Sequence, residues 1–325
     1  MGKSICDNIA NYFIAYIREI ISYNLYKGRQ QMNITIPEFS YGTNLILKDI
    51  SLELTKPQII GLVAPNGTGK STFIKLISGH LSAPEVDINL DGHTYETDLI
   101  YMRRQIVKMP DQMDLYDELT ARDHLRYYAS LWEVEKEHVE VVIQTLNMSS
   151  YCDNPIKSYS LGMRQRVCFA LMLVTKAQYL LLDEVMNGLD PDNVDMISDI
   201  LFKLKEKGTT MLIASHLLEN LDQIADVVYF MKDHQLAFRY EPAISQREML
   251  SVQFSDEVHQ KSFIDTFTDI PIQFDNDSLY IDVPLIDEFM LEEIFRWLTT
   301  HLDRVGEVKL GTKGCHKLFR ELYDR

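Results

Sequence analysis

No apolar run in these 325 residues reaches the roughly 18 needed to cross a bilayer as a helix; the best candidates are "QYLLLDEV" and "CFALMLV". A chain without such a run is not expected to span a membrane. Near the N-terminus Lys3 is followed by Asp7, Arg18 and Glu19 interrupt the apolar stretch, and no small-residue cleavage site follows, which argues against a secretory signal. Basic surplus is lacking too: 48 acidic against 32 basic residues leave a net charge of -16, so a phosphate backbone is an unfavourable partner and nucleic acid is not expected as one. The four cysteines, Cys6, Cys152, Cys168 and Cys315, form no Cys-x-x-Cys pair, which fits reduced cytosolic thiols better than a disulfide framework or a zinc site. Repeats, low-complexity tracts and sustained heptads are also missing, so neither a solenoid nor a long coiled coil is expected.

The length allows one large domain with appendages. Over residues 9–21, Ile9, Phe13, Ile17 and Ile20 recur at helical spacing, giving an amphipathic helix in an N-terminal extension over residues 1–31. Its polar face carries few basic residues, so it reads as a cover for its own domain rather than a membrane-surface helix. From Met32 the stretches "NITIPEF", "LILKDISLEL" and "QIIGLVA" read as strands separated by Gly, Pro and Asn turns, and residues 113–150 read as helical. "QYLLLDEV" and "TTMLIAS" then return as short continuous apolar runs, the mark of strands buried on both faces of a parallel sheet. The texture shifts again at Glu241-Pro242, where "MLSVQFS", "PIQFD" and "LYIDVP" alternate and "DEFMLEEIFRWLTTHL" reads as a helix; residues 241–325 are expected to be a small α+β appendage.

The strongest chemical signal is "IIGLVAPNGTGKSTFIKLIS", an apolar strand running into a glycine-containing loop, then Lys-Ser-Thr, then a helix. Gly67 and Gly69 let backbone N–H groups turn inward around a β-phosphate, and the helix that follows points its positive end at the same anion. Lys70 neutralises β- and γ-phosphate charge, the Ser71 hydroxyl is placed for Mg²⁺, and Thr72 reaches the α-phosphate. Asn66 and Thr68 complete the nucleotide-contacting loop. One position departs from G-x-x-x-x-G-K-S: its first glycine is Ala64, which would cost on the order of 1 kcal/mol if the backbone there required a positive φ.

Further on, "YLLLDEVMNGLDP" places Asp183 and Glu184 at the end of an apolar strand, where an α/β sheet presents its ligand-contacting groups. The two carboxylates suggest divided labour, with Asp183 holding Mg²⁺ directly or through water and Glu184 polarising the water that attacks the γ-phosphate. "SYSLGMRQRV" lies just before them and "IASHLLE" just after.

With those motifs in this order, the stretch from about Ile34 to Tyr240 resembles the nucleotide-binding subunit of ATP-binding cassette (ABC) transporters. The resemblance implies an α/β fold: a P-loop NTPase (RecA-like) core with an antiparallel N-terminal β lobe over residues 32–240, a helical subdomain at about 113–166, and the α+β appendage. It implies an ATPase with ATP and Mg²⁺ as its ligands. "SYSLGMRQRV" resembles the family's signature motif, so Ser160 and Gly162 would contact the γ-phosphate held by the other subunit of a head-to-tail dimer, either a homodimer or a paralogous heterodimer. "NGLD" resembles the loop that couples the two sites, through Asp190. His216 resembles the switch histidine that contacts γ-phosphate, and Tyr41 the aromatic that stacks on adenine. The loop that usually carries a glutamine reads "KMPDQMDLYDELT", with Asp111 at the expected position and Gln112 one later; either a carboxylate substitutes or the register slips by one.

In that family a dimer of cassettes drives a separate multi-span membrane permease, which implies a peripheral place on the inner face of the cell membrane. The "SLGMRQR" form and the ending "KLFRELYD" look most like the bacterial branch that exports drugs, antimicrobial peptides and other amphipathic molecules. Two alternatives remain open at this level: a soluble ABC ATPase acting in translation or DNA maintenance, and a regulatory cassette that binds ATP without hydrolysing it.

Overall fold

The computed structural model of the chain describes residues 31–55, 57–242, 248–268, 270, 272–274, 279–284, 288–312 and 314–323. The helix expected over residues 9–21, and Cys6, lie outside them. Strands β1 (Met32–Tyr41), β2 (Asn44–Leu54) and β3 (Ile59–Val63) precede helix α1 (Lys70–Ile77), followed by β4 (Asp87–Leu90), α2 (Leu99–Gln105) and β5 (Ile106–Lys108). Helices α3 (Ala121–Leu131), α4 (Lys136–Thr145) and α5 (Leu161–Val174) lead into β6 (Tyr179–Asp183) and α6 (Pro191–Glu206). β7 (Thr210–Ala214), α7 (Leu218–Ile224), β8 (Val227–Lys232) and β9 (Gln235–Tyr240) complete this unit.

β1, β2 and β4 form an antiparallel sheet in the order β2-β1-β4. The period-2 pattern sets the register: Leu54, Met32 and Leu90 fall in one cross-strand row and Leu52, Ile34 and Ile88 in the next, all buried on one face. The second sheet has the order β5-β6-β7-β3-β8-β9, parallel throughout except for the edge strand β9. Its inner strands "IIGLV", "YLLLD" and "TMLIA" are buried almost throughout, because helices on a parallel sheet leave neither face to water. The start of β3 is fixed from outside the ladder: the Asp226 carboxylate accepts the Ile59 N–H at 2.8 Å and the Lys205 ammonium of α6 at 2.9 Å.

The helical subdomain is not continuous over 113–150. A single 3-10 turn, Gln112–Asp114, precedes α3, which opens on a capping box between Thr120 and Asp123, and a non-helical stretch separates α3 from α4. Cys152, Cys168 and Cys315 are buried, and burial pushes the Cys168 thiol up to about 12, far from reactivity.

From Glu241 the described residues form a second compact unit. Its elements are β10 (Glu248–Phe254), α8 (Glu257–Thr266), β11 (Gln273–Phe274), β12 (Tyr280–Pro284), α9 (Glu288–Thr300), β13 (Val305–Thr312) and α10 (Cys315–Tyr323). The strands form one antiparallel sheet in the order β11-β12-β10-β13, so the succession βαββαβ makes the split βαβ, ferredoxin-like topology. Leu250, Val252, Phe254, Ile281 and Val283 on the sheet pack with Phe263, Ile294 and Leu298 of the two helices.

Candidate active site

Three neighbouring parallel strands, β6, β7 and β3, bring the motifs together: they end respectively at Asp183-Glu184, just before His216, and at the phosphate loop. Their C-terminal ends form one rim, the place where open α/β sheets bind ligands. Gly67 and Gly69 both hold positive φ, +81° and +105°, and Gly69 caps the N-terminus of α1. A Cβ on Gly69 would lie 3.0 Å from the side chains of Ile46 and Leu47, so packing as well as φ demands glycine there. Ala64 lies outside the left-handed region and is buried, so the cost anticipated for alanine at that position does not arise. Thr68 Oγ1 closes the loop on the Pro65 carbonyl at 2.7 Å, leaving Asn66 and Gly67 exposed at its tip.

The Lys70 ammonium folds back to donate to the carbonyls of Ala64 at 2.5 Å and Pro65 at 3.1 Å. Burial lowers its pKa, while the charges of Glu184 and Asp183 oppose that shift. Ser71 Oγ donates to Asp183 Oδ2 at 3.2 Å, so hydroxyl and carboxylate share one small space; Thr72 follows, half-buried on α1. No cluster of three or more His, Cys, Asp or Glu suited to a metal occurs among the described residues. One carboxylate and one hydroxyl, with the remaining positions open to phosphate oxygens and water, are the donor set that Mg²⁺ takes in nucleotide sites.

Glu184 sits at φ +53°, held by its N–H to the Ala214 carbonyl at 2.9 Å. One carboxylate oxygen lies 3.2 Å from His216 Nε2. Burial raises the Glu184 pKa above the usual carboxylate range; Asp183 adds to the rise, and His216 and Lys70 oppose it.

A second set of sequence-predicted residues gathers around the N-termini of α5 and α6. Ser160 caps α5, accepting the Met163 N–H at 3.3 Å, and Asp190 caps α6 by accepting the Asn193 N–H at 2.9 Å. Asn193 also accepts from Arg166 of α5 and donates to Asp190 at 2.7 Å, tying the two helix starts together. Gly162 faces the Gly188-Leu189 segment, where an added Cβ would find the Gly188 carbonyl at 3.7 Å. Tyr41 ends β1, 49% exposed and packed edge-to-face on Phe39.

The two candidates for the glutamine loop part company. Asp111 is exposed and serves the turn that begins at Gln112, exchanging hydrogen bonds with Asp114. Gln112 instead donates to Gln165 Oε1 at 2.6 Å, and Gln165 Nε2 donates to the Glu184 carbonyl at 2.8 Å. Gln165 was not singled out from the sequence, where it sits between Arg164 and Arg166 and reads as part of a basic run. A neutral residue placed to fall on the buried face of α5 was the signal available.

Comparison with known proteins agrees with this geometry. The model of the ABC transporter family matches residues 47–187. The lantibiotic transport ATP-binding protein SrtF of Streptococcus pyogenes is 30% identical over 203 residues, 62% of this chain and 87% of that protein. The bacitracin transport ATP-binding protein BcrA of Enterococcus faecalis is 32% identical over 198 residues, 60% of this chain and 64% of the other. Among solved structures, an ATP-binding subunit of an ABC transporter superposes with a TM-score of 0.61 at 22% identity, over 65% of this chain and 89% of that one. The cassette MJ1267 in its ADP conformation gives 0.57 at 22%, over 66% and 92%. The last two establish the fold; the relatives in sequence, with the phosphate loop and carboxylate rim just described, establish that this chain belongs to the ATP-binding subunits of ABC transporters and is an ATPase.

Proposed function

We propose that the chain is the motor of a bacterial exporter, pairing head-to-tail with a second cassette around two Mg-ATP and driving a separate membrane permease. The observation that carries the reading is the Glu184 carboxylate, held 3.2 Å from His216 on the rim that also presents Lys70, Ser71 and Asp183. ATP phosphates lie in the loop from Asn66 to Thr72, with Tyr41 stacking on adenine. Ser71 and Asp183 would hold Mg²⁺, which supplies charge neutralisation on the β- and γ-phosphates. Glu184 takes a proton from water as its oxygen bonds to the γ-phosphorus, and the bond to the β-γ bridging oxygen breaks to release ADP and phosphate. His216 orients Glu184 and contacts the γ-phosphate. Gln112, with Asp111 beside it, links this centre to the helical subdomain. Ser160 and Gly162 close on the γ-phosphate of the second subunit, and Asp190 couples the two sites. Their grouping around the starts of α5 and α6 supports that division.

The helical subdomain leaves Met113 95% and Tyr116 70% exposed, immediately beyond Gln112. Apolar side chains so placed fit a surface against which permease helices dock and receive the state of the nucleotide. Among the described residues no helix is long and apolar enough to cross a membrane, which fits a permease on another chain and a peripheral place at the inner membrane face. Relatives named for lantibiotic and bacitracin transport support amphipathic peptide antibiotics and similar drugs as cargo. A tagged pull-down from gently solubilised native membranes is expected to bring down a multi-span membrane protein in near-equal amount. Recovery of soluble partners or ribosomes alone would refute the exporter reading.

A further inference from the structure

β13 (Val305–Thr312) ends the sheet order β11-β12-β10-β13, with β10 as its one strand neighbour among the described residues. From Gly306 to Gly311 every residue is exposed, including Val308 at 39% and Leu310 at 58%. An open edge strand of this length with apolar side chains invites pairing by another strand, and proteins usually blunt such an edge with proline, bulges or repeated lysines. Here Lys309 is the edge's one lysine, Glu307, two residues earlier on the same face, holds it at 3.0 Å, and the register shift against β10 falls at Gly306, before the regular stretch that begins at Glu307.

The triplet Glu307-Val308-Lys309 is its own complement. When two copies of a strand pair antiparallel about a two-fold axis normal to the sheet, paired residues share a face, so one residue must lie opposite its own copy. An axis at Glu307 or at Lys309 sets like charges opposite each other. An axis at Val308 sets each Glu307 opposite Lys309 of the partner subunit and joins the two valines. Cross-strand pairs of opposite charge and of β-branched residues favour pairing, and like charges oppose it. We propose that β13 pairs in this register with β13 of a second copy of the chain, fusing two four-stranded sheets into one of eight. The pairing needs no nucleotide and so does not depend on the head-to-tail cassette dimer.

Cysteine cross-linking of the full chain, without nucleotide and at about 0.15 M salt to screen the acidic surface, tests it. The Val308→Cys variant is expected to give a disulfide-linked dimer under mild oxidation, above the background of the unsubstituted chain. Leu310→Cys should not, because its copies sit four residues out of register, about 13 Å apart and beyond disulfide reach. Adding Lys309→Glu to Val308→Cys should cut the yield about tenfold or more, and adding Glu307→Lys as well should restore it. Retained ATPase activity checks that each variant is folded. Equal cross-linking of the Val308→Cys and Leu310→Cys variants would overturn the proposal, as would no cross-link, or a dimer indifferent to Lys309→Glu.

Discussion

Glu184 carries two constraints at once. It sits in the left-handed backbone region, a strain of about 1 kcal/mol or more for a residue with a Cβ, and its carboxyl is raised above the ordinary range, chiefly by burial. A raised pKa suits a group that must take a proton from water, because a stronger base moves it more readily. The group works only when ionised, so the hydrolysis rate should fall as pH drops through a point above the usual carboxylate range. His216 opposes the rise, so replacing it moves that point the same way again. In His216→Ala the acid limb of the kcat profile is expected to shift to higher pH, with kcat at neutral pH about tenfold or more lower. A steady-state pH series checks this; an unshifted limb would separate His216 from the Glu184 charge.

At the scale of elements, α5 is the part that spans the machine. Its first turns carry Ser160 at the cap, Gly162 against the loop after the carboxylates, Arg166 to Asn193, and Gln165 inward to Gln112 and the Glu184 carbonyl. Removing the amide of Gln165 takes one of two donors from the part-buried Glu184 carbonyl, which keeps the Asn187 N–H at 3.0 Å, and loosens the backbone that aims Glu184. Gln165→Leu should therefore lower kcat about 10- to 100-fold while ATP affinity stays within about twofold, by equilibrium nucleotide binding beside steady-state hydrolysis. Equal losses in affinity and rate would assign Gln165 to general packing. The loop from Ala64 to Thr72 was legible in the sequence because glycine, lysine and hydroxyl chemistry must stand at fixed spacing there. Gln165 was not, since its meaning depends on which face of α5 is buried. The strand order was equally hidden: β3, β6 and β7 are similar apolar runs, and nothing local says that β7 lies between the other two. β13 is illegible in the sequence because "VGEVKLGT" mixes glycines and charges, and only its pairing with β10 makes it a strand.

The whole molecule is an acidic two-unit chain with its phosphate loop and carboxylates on one rim and a second set of residues around the starts of α5 and α6 of the same unit. On the function proposed, turnover requires a second copy, and ATP acts as the clamp between two cassettes that hydrolysis releases. The central claim is that Glu184 is the base in a site completed by that second copy. Glu184→Gln keeps size and most contacts but cannot accept the proton. Run on size exclusion with Mg-ATP, with hydrolysis followed in the same sample, the variant is expected to bind ATP, hydrolyse it about 10²- to 10⁴-fold more slowly, and elute as a dimer or larger assembly. Hydrolysis at the wild-type rate, or an ATP-loaded variant that stays monomeric, would contradict the account.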